Sequence, residues 1–383
     1  MSTAVTRREV LRDGAAAAVA AAFPGMAATQ VLAQGEPQNE IQSVGWAAKA
    51  ADKPLERFEF TRRGPGPKDV LIDILYCGVC HSDIHQARAN LDIPFPFPFP
   101  VVPGHEIIGR VRHVGASVTR FEVRDIAGVG AYIGSDGSVP GKEQFSNPIF
   151  TYGGSDGRGG LTQGGYSNNI VVDENYALTI PDGIDLPRAA PLLCAGVTTH
   201  SPLEQWEVGE GTRVGVVGLG GLGHMALKFA VDRGADVTVF TTSPDKIRDA
   251  ERMGAREAVV WPLPQEEVFR GAGSLDFILS TVLCSFDMDA FMMMLRIGGV
   301  MSNVGLLEKT NPNYLFVNMR QITLTGSLVG SLSEMQEVID RCHAKKMLPE
   351  VEVIPIEKVN EAYDLVMDKK ARYRYVIDMS TLK

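Results

Sequence analysis

Val214-Gly215-Val216-Val217-Gly218-Leu219-Gly220-Gly221-Leu222-Gly223 is the stretch on which the fold turns. An apolar run over 213–217 predicts a buried strand, and an apolar helix through Ala226 and Ala230 follows the glycines. The glycine spacing is G-x-G-x-x-G. Gly218 permits a tight turn, Gly220 lets a pyrophosphate approach the backbone, and Gly223 lets helix and strand pack closely. Gly221 and Leu222 complete the loop, and the helix N-terminus offers unpaired N–H groups to phosphate. Outside a strand-turn-helix frame this pattern is weak. Inside one it marks a dinucleotide site.

Downstream, strand-like runs alternate with helical ones: Val237-Thr238-Val239-Phe240, a helix over 246–253, Ala258-Val259-Val260, Phe277-Ile278-Leu279 and Val300-Met301-Ser302-Asn303-Val304. Such alternation predicts an α/β Rossmann domain with a doubly wound parallel sheet, placed here at 195–332. The end of its second strand selects the cofactor. An NAD site carries Asp or Glu there for the ribose 2′-hydroxyl. This chain has Thr241-Thr242-Ser243 and then Lys246 and Arg248, hydroxyls and cations that suit the 2′-phosphate of NADP(H). Ser243 can also cap the helix beginning near Pro244.

Upstream, residues 41 to about 135 read as β-rich, with Val70-Leu71-Ile72-Asp73-Ile74-Leu75-Tyr76 and Ile107-Ile108-Gly109-Arg110-Val111-Arg112-His113-Val114 as strands. Pro94-Phe95-Pro96-Phe97-Pro98-Phe99-Pro100 cannot be helical, because each proline lacks an N–H. It predicts an extended loop whose phenylalanines line a pocket or pack on the surface. Residues 135–165 read as loop. Val376-Ile377-Asp378 reads as a strand that returns to the first domain, set at 41–194 and 333–383.

The chain has 383 residues, enough for two domains, and its net charge of −9 gives no basic patch for nucleic acid. Cys77, Cys80, Cys194, Cys284 and Cys342 are too few and scattered for a disulfide framework, which favours metal binding or plain burial. No stretch after residue 40 is apolar enough to span a bilayer.

Gly78-Val79-Cys80-His81-Ser82-Asp83-Ile84-His85 follows a strand, Pro103-Gly104-His105-Glu106 precedes another, and Pro191-Leu192-Leu193-Cys194-Ala195-Gly196-Val197-Thr198-Thr199 stands ahead of the nucleotide domain. With the glycine loop and the terminal Tyr373-Arg374-Tyr375-Val376-Ile377-Asp378, these phrases resemble the zinc-containing medium-chain alcohol dehydrogenases, within them the cinnamyl alcohol dehydrogenase group. The likeness runs from residue 45 to 383. It implies a GroES-like, mostly-β catalytic domain beside the Rossmann domain, and hydride transfer between NADP(H) and an aromatic or medium-length aldehyde or its alcohol. It implies Cys80, His105 and Cys194 as ligands of one catalytic zinc, with Glu106 touching the metal transiently or supporting it. Two thiolates and an imidazole leave one coordination position open, as a catalytic zinc needs. Ser82 is implied beside the substrate hydroxyl, passing a proton through the cofactor ribose to a solvent-facing His85, and Asp83 as the group orienting a zinc ligand. His81 is given no role.

The chain departs from the family where a four-cysteine lobe holds a second, structural zinc. No cysteine lies between 81 and 193, so that zinc and most of its lobe are expected to be missing. This leaves subunit assembly open, with a homodimer expected. Cys77, Cys284 and Cys342 are read as structural. The rival readings are a polyol or sugar dehydrogenase of the same superfamily, and a cofactor-binding protein that has lost turnover.

Thr6-Arg7-Arg8-Glu9-Val10-Leu11-Arg12 resembles a twin-arginine export motif, followed by a weakly apolar alanine run and by Val31-Leu32-Ala33, small enough for a signal peptidase. Residues 1–33 are therefore expected to be a signal read by the twin-arginine machinery, removed on export to the periplasm or beyond. An alanine-rich extension on a cytoplasmic enzyme is the alternative.

Overall fold

The glycine-bearing strand Arg213–Val217 lies at the middle of a parallel sheet, flanked by Asp236–Thr241 on one side and Leu275–Ser280 on the other. The protein is described through a computed structural model that covers residues 40–91, 96–139, 145–157, 159–306 and 309–383. The alternation of strands and helices in the sequence becomes a six-stranded sheet. Glu257–Val260, Asp236–Thr241, Arg213–Val217, Leu275–Ser280, Leu295–Asn303 and Thr323–Gly326 lie side by side in that order, all parallel. The chain reverses direction across the sheet beside Arg213–Val217, and such switch points bind ligands at the carboxyl ends of the strands. Val214, Val216, Val239 and Leu279 are fully buried. Each contributes about 1.5–3 kcal/mol relative to an exposed side chain.

A seven-stranded sheet organises the rest. Asp69–Gly78 is its axis, paired antiparallel with Ile107–Val114, with Asn169–Asp173 and with the C-terminal strand Arg374–Asp378. Val351–Pro355 joins the edge beside Arg374–Asp378 in parallel. The tail thus returns to the seven-stranded sheet and brings residues 372–374 back against the glycine loop. The helix Leu332–Lys345 buries Met335, Val338, Ile339 and Cys342, a one-faced i, i+3, i+4, i+7 pattern, and packs on the helix Ala195–Gln205. Its start is a capping box: Ser331 Oγ accepts from Glu334 N at 3.1 Å, and the Glu334 carboxylate accepts from Ser331 N at 2.7 Å.

The edge strand of the six-stranded sheet, Thr323–Gly326, carries little apolar alternation and has no signal in the sequence, whereas Ile41–Ala47 and Glu56–Arg62, in the stretch expected to be β-rich, pair as a separate antiparallel hairpin. Pro94 and Phe95 of the Pro-Phe run lie outside the described residues. Phe99 packs against the core of the seven-stranded sheet, favouring packing over pocket lining there. Where the structural-zinc lobe would stand, a short pair of strands, Tyr132–Gly134 and Ile149–Phe150, closes the chain on itself. Among the described residues a single cluster of His, Cys and acidic groups is compact enough for a metal. Cys77 and Cys342 are buried as expected of structural cysteines, whereas Cys284 is exposed in a loop, which does not fit that reading.

Candidate metal and dinucleotide site

Cys80 ends the turn after the strand Asp69–Gly78 and caps the helix His81–Arg88. His105 stands just before Ile107–Val114, the neighbouring strand, so sheet pairing alone brings Cys80 and His105 together. Cys194 is the joint between a short 3-10 turn, Ala190–Leu193, and the helix Ala195–Gln205, with φ −133° and ψ −70°. The donor atoms of Cys80, His105, Glu106 and Cys194 all lie within 4.8 Å of one another, and all four residues are buried.

The donor set fits zinc. The two sulfurs are 3.9 Å apart. Two thiolates at about 2.3 Å from one tetrahedral ion would stand about 3.8 Å apart. The sulfurs share a hydrogen bond, which with Arg374 and His105 pulls the Cys80 thiol well below its ordinary range, while the same hydrogen bond and burial push Cys194 up. The shared hydrogen bond and the nearby cations favour negative charge on this sulfur pair, which is what a metal needs of its thiol ligands.

Asp83 holds the cluster together. It is fully buried, and its carboxylate accepts from Cys80 N at 2.8 Å, Gly104 N at 3.0 Å, the His105 ring Nδ1 at 3.0 Å and the Tyr166 hydroxyl at 3.1 Å. The bond to Nδ1 fixes the tautomer and leaves Nε2 of His105 as the ligand nitrogen. Ser82 Oγ lies 3.7 Å from Cys80 Sγ, on the same first turn. His85 differs from the expectation of a solvent-facing ring: it is 8% exposed. Its Nδ1 donates to Asn90 Oδ1 at 2.6 Å, and its buried Nε2 has no hydrogen-bond partner. Asn90, exposed just past the helix end, holds the Nδ1 edge of the ring. The Tyr152 ring stands 5.7 Å from that of His105.

Glu106 is buried and paired with Arg374, whose Nε lies 3.2 Å from Oε2 and whose Nη2 bonds Oε1. Burial raises the Glu106 carboxyl to about 7, against the pull of Arg374. Arg374 also faces the glycine loop, since a Cβ on Gly221 would come 2.7 Å from its Nη1. It therefore links metal cluster and dinucleotide loop. Sequence reading missed it, because a buried arginine at a strand start has no local signature.

At the loop itself, a Cβ on Gly223 would fall 1.9 Å from Gly218 O. Gly223→Ala is expected to push helix from strand and to weaken NADPH binding at least roughly tenfold, about 1.4 kcal/mol, read by fluorescence titration. Lys246 donates to Leu219 O at 3.1 Å and lies over the Tyr373 ring, so its ammonium is tucked beneath the loop. Thr242 is exposed and Ser243 half-buried, both beside an open cavity.

His224, first in the helix after the loop, stacks on Tyr373 at 5.1 Å and donates from Nδ1 to Gly220 O at 3.1 Å, while Nε2 accepts from Glu350 N at 3.4 Å. Both nitrogens are thus committed to the neutral form, and burial first, then Lys228, lowers its pKa to about 3. The unfolded chain binds a proton there below about 6.5 and the folded chain does not until about 3. This contribution to stability is present above pH 6.5 and is lost as pH falls, by about 2 kcal/mol at pH 5. Urea unfolding of wild type against His224→Gln should show the wild type losing more between pH 7.5 and pH 5.

Residues 66–182 match the family described as alcohol dehydrogenase GroES-like domain, and residues 221–344 match that described as zinc-binding dehydrogenase. The chain is 44% identical to NADP-dependent alcohol dehydrogenase C 1 of Mycolicibacterium smegmatis, over 88% of this chain and 98% of that protein. It is 41% identical to aldehyde reductase YahK of Escherichia coli, over 90% and 99%. The crystal structure of a cinnamyl alcohol dehydrogenase from Helicobacter pylori, complexed with NADP(H), superposes with a TM-score of 0.82 at 37% identity, over 89% of this chain and 99% of that one. A compact Cys-His-Cys cluster with a buried glutamate, set beside a six-stranded dinucleotide-type sheet, agrees with both halves of that match, and the chain belongs to the zinc-containing medium-chain alcohol dehydrogenases, in the cinnamyl alcohol dehydrogenase group.

Proposed function

We propose that this chain reduces aldehydes to alcohols with NADPH, at a single zinc held by Cys80, His105 and Cys194. The observation that carries this reading is the 3.9 Å separation of two unlinked thiols beside an oriented imidazole, the spacing of a tetrahedral zinc edge. When bound, zinc supplies Lewis-acid polarisation of the carbonyl, and NADPH supplies the hydride. The chain's own residues supply position and protons. Asp83 keeps His105 in one tautomer and one orientation. Ser82 Oγ would give its proton to the substrate oxygen, and His85, once a proton from solvent has been taken up on its unpartnered Nε2, would be the group that returns one to the site. Gly218, Gly220 and Gly223 seat the pyrophosphate, with Thr242 and Ser243 at the 2′-phosphate.

Tyr152 beside His105 supports an aromatic or medium-length aldehyde as the substrate class. A stopped-time assay of NADPH oxidation with benzaldehyde-type and aliphatic aldehydes tests the reading, with NADH and polyols as controls. Aldehyde-dependent oxidation of NADPH is expected. Activity confined to polyols with NAD would sink it.

Export through the twin-arginine route belongs to the same proposal, on the Arg7-Arg8 stretch, which lies outside the described residues. Fractionation of cells expressing the chain with Arg7 and Arg8 both changed to Lys should retain the enzyme with the cytoplasmic fraction.

A further inference from the structure

Beside the end of the second strand of the dinucleotide-type sheet lies a cavity of about 520 Å³. One wall is Thr242, Ser243 and Asp245, and the other is Lys369, Lys370 and Arg372. The first wall is where a doubly wound sheet meets the ribose 2′ position. The second belongs to the other half of the molecule, on the link between the helix Val359–Met367 and the strand Arg374–Asp378.

Lys246, the cation that sequence reading put forward here, is absent from this lining, because its ammonium is committed to Leu219 O. Three other cations face the cavity against two carboxylates, Asp245 and Asp368. Lys370 pairs with Asp368 at 2.9 Å, and Arg372 pairs with Asp245 and, at 3.7 Å, with Asp249. Among the described residues Lys369 is the cation of this cavity with no ion pair, and it is exposed. The balance is one positive charge in surplus, with a guanidinium beside it held by the exposed Asp245 and, at 3.7 Å, by the half-buried Asp249. Surface pairs of this kind are worth little and exchange readily for a doubly charged phosphate.

Resting on the NADP(H) reading above, we infer that Lys369 and Arg372 complete the 2′-phosphate site from the C-terminal side. The phosphate is gripped across the cleft, by the hydroxyls of Thr242 and Ser243 on one wall and by two cations on the other. Arg372 exchanges Asp245 for the phosphate as the cofactor binds. Preference for the phosphorylated cofactor is then written in both halves of the chain, and only a cofactor with a 2′-phosphate ties the two walls together at this point.

The test is binding of NADPH, NADH and adenosine 2′,5′-bisphosphate to the full-length zinc-loaded enzyme and to Lys369→Gln, Arg372→Gln and the double variant. Both side chains are on the surface, and Arg372→Lys controls for folding while keeping the charge. The double variant is expected to raise the Kd of NADPH and of the bisphosphate about tenfold or more, with the NADH value moving less than about twofold. Asp245→Asn, which frees Arg372 and removes a repelling carboxylate, is expected to tighten NADPH. If the ratio of NADPH to NADH affinity in the double variant stays at the wild-type value while the wild type favours NADPH, this inference is wrong and the cofactor reading stands. A wild type that binds both cofactors alike overturns the two together.

Discussion

Cys194→Ala is expected to lower aldehyde-dependent NADPH oxidation at least about a thousandfold, as several kcal/mol of carbonyl polarisation disappear with the ion. The reason lies in the geometry of the sulfur pair. Cys80 and Cys194 lie 114 residues apart in the chain and meet at 3.9 Å. With one sulfur gone, Cys80, His105 and Glu106 remain as buried donors of mixed kind, and the hydrogen bond that lowers the Cys80 thiol is lost with its partner. Zinc content should fall in parallel with rate. A variant that lost rate but kept a full complement of tightly held zinc would remove Cys194 from the ligand set.

Asp83→Asn should come next in size, with metal affinity and kcat both falling roughly 10–100-fold. The carboxylate accepts four hydrogen bonds and donates none. An amide of the same shape must turn an N–H toward at least one of the donors it now satisfies, from Cys80, Gly104, His105 or Tyr166, and a buried donor left unpaired costs about 1–3 kcal/mol. If the defect were one of folding alone, metal affinity per folded molecule would be unchanged. Isothermal titration of zinc into the metal-free variant, alongside urea unfolding, separates these outcomes.

The nucleotide half of the fold was legible in the sequence because its strands are short apolar runs buried on both faces, each punctuated by glycine or by a helical stretch. Val214 to Val217 and Phe277 to Leu279 needed no tertiary information. Thr323–Gly326 was not legible, since an edge strand of Thr, Leu, Thr and Gly carries no alternation that separates it from a loop. The metal site was legible only through the family resemblance. Its cysteines and histidine have no diagnostic spacing, and the sheet register between Asp69–Gly78 and Ile107–Val114 is what joins them.

Arg374, Tyr166 and Tyr373 escaped sequence reading for a related reason. Each acts across a long chain separation, Arg374 on Glu106, Tyr166 on Asp83 and Tyr373 on Asp249, and nothing near them in the sequence announces the partner. His85 and Lys246 were picked out by motif, but their direction is set by Asn90 and by Leu219 O. Motif reading supplies the residue type, whereas burial and the local acceptor decide where its polar atom points.

Zinc analysis of the purified chain bears most directly on the proposal that one Lewis-acidic ion sits between Cys80, His105 and Cys194. Mass spectrometry under native conditions, or elemental analysis against protein concentration, should give one zinc per chain. That zinc should be lost in Cys194→Ala together with aldehyde reduction. Two ions per chain would contradict the loss of the structural lobe, and an active enzyme with none would contradict the site itself.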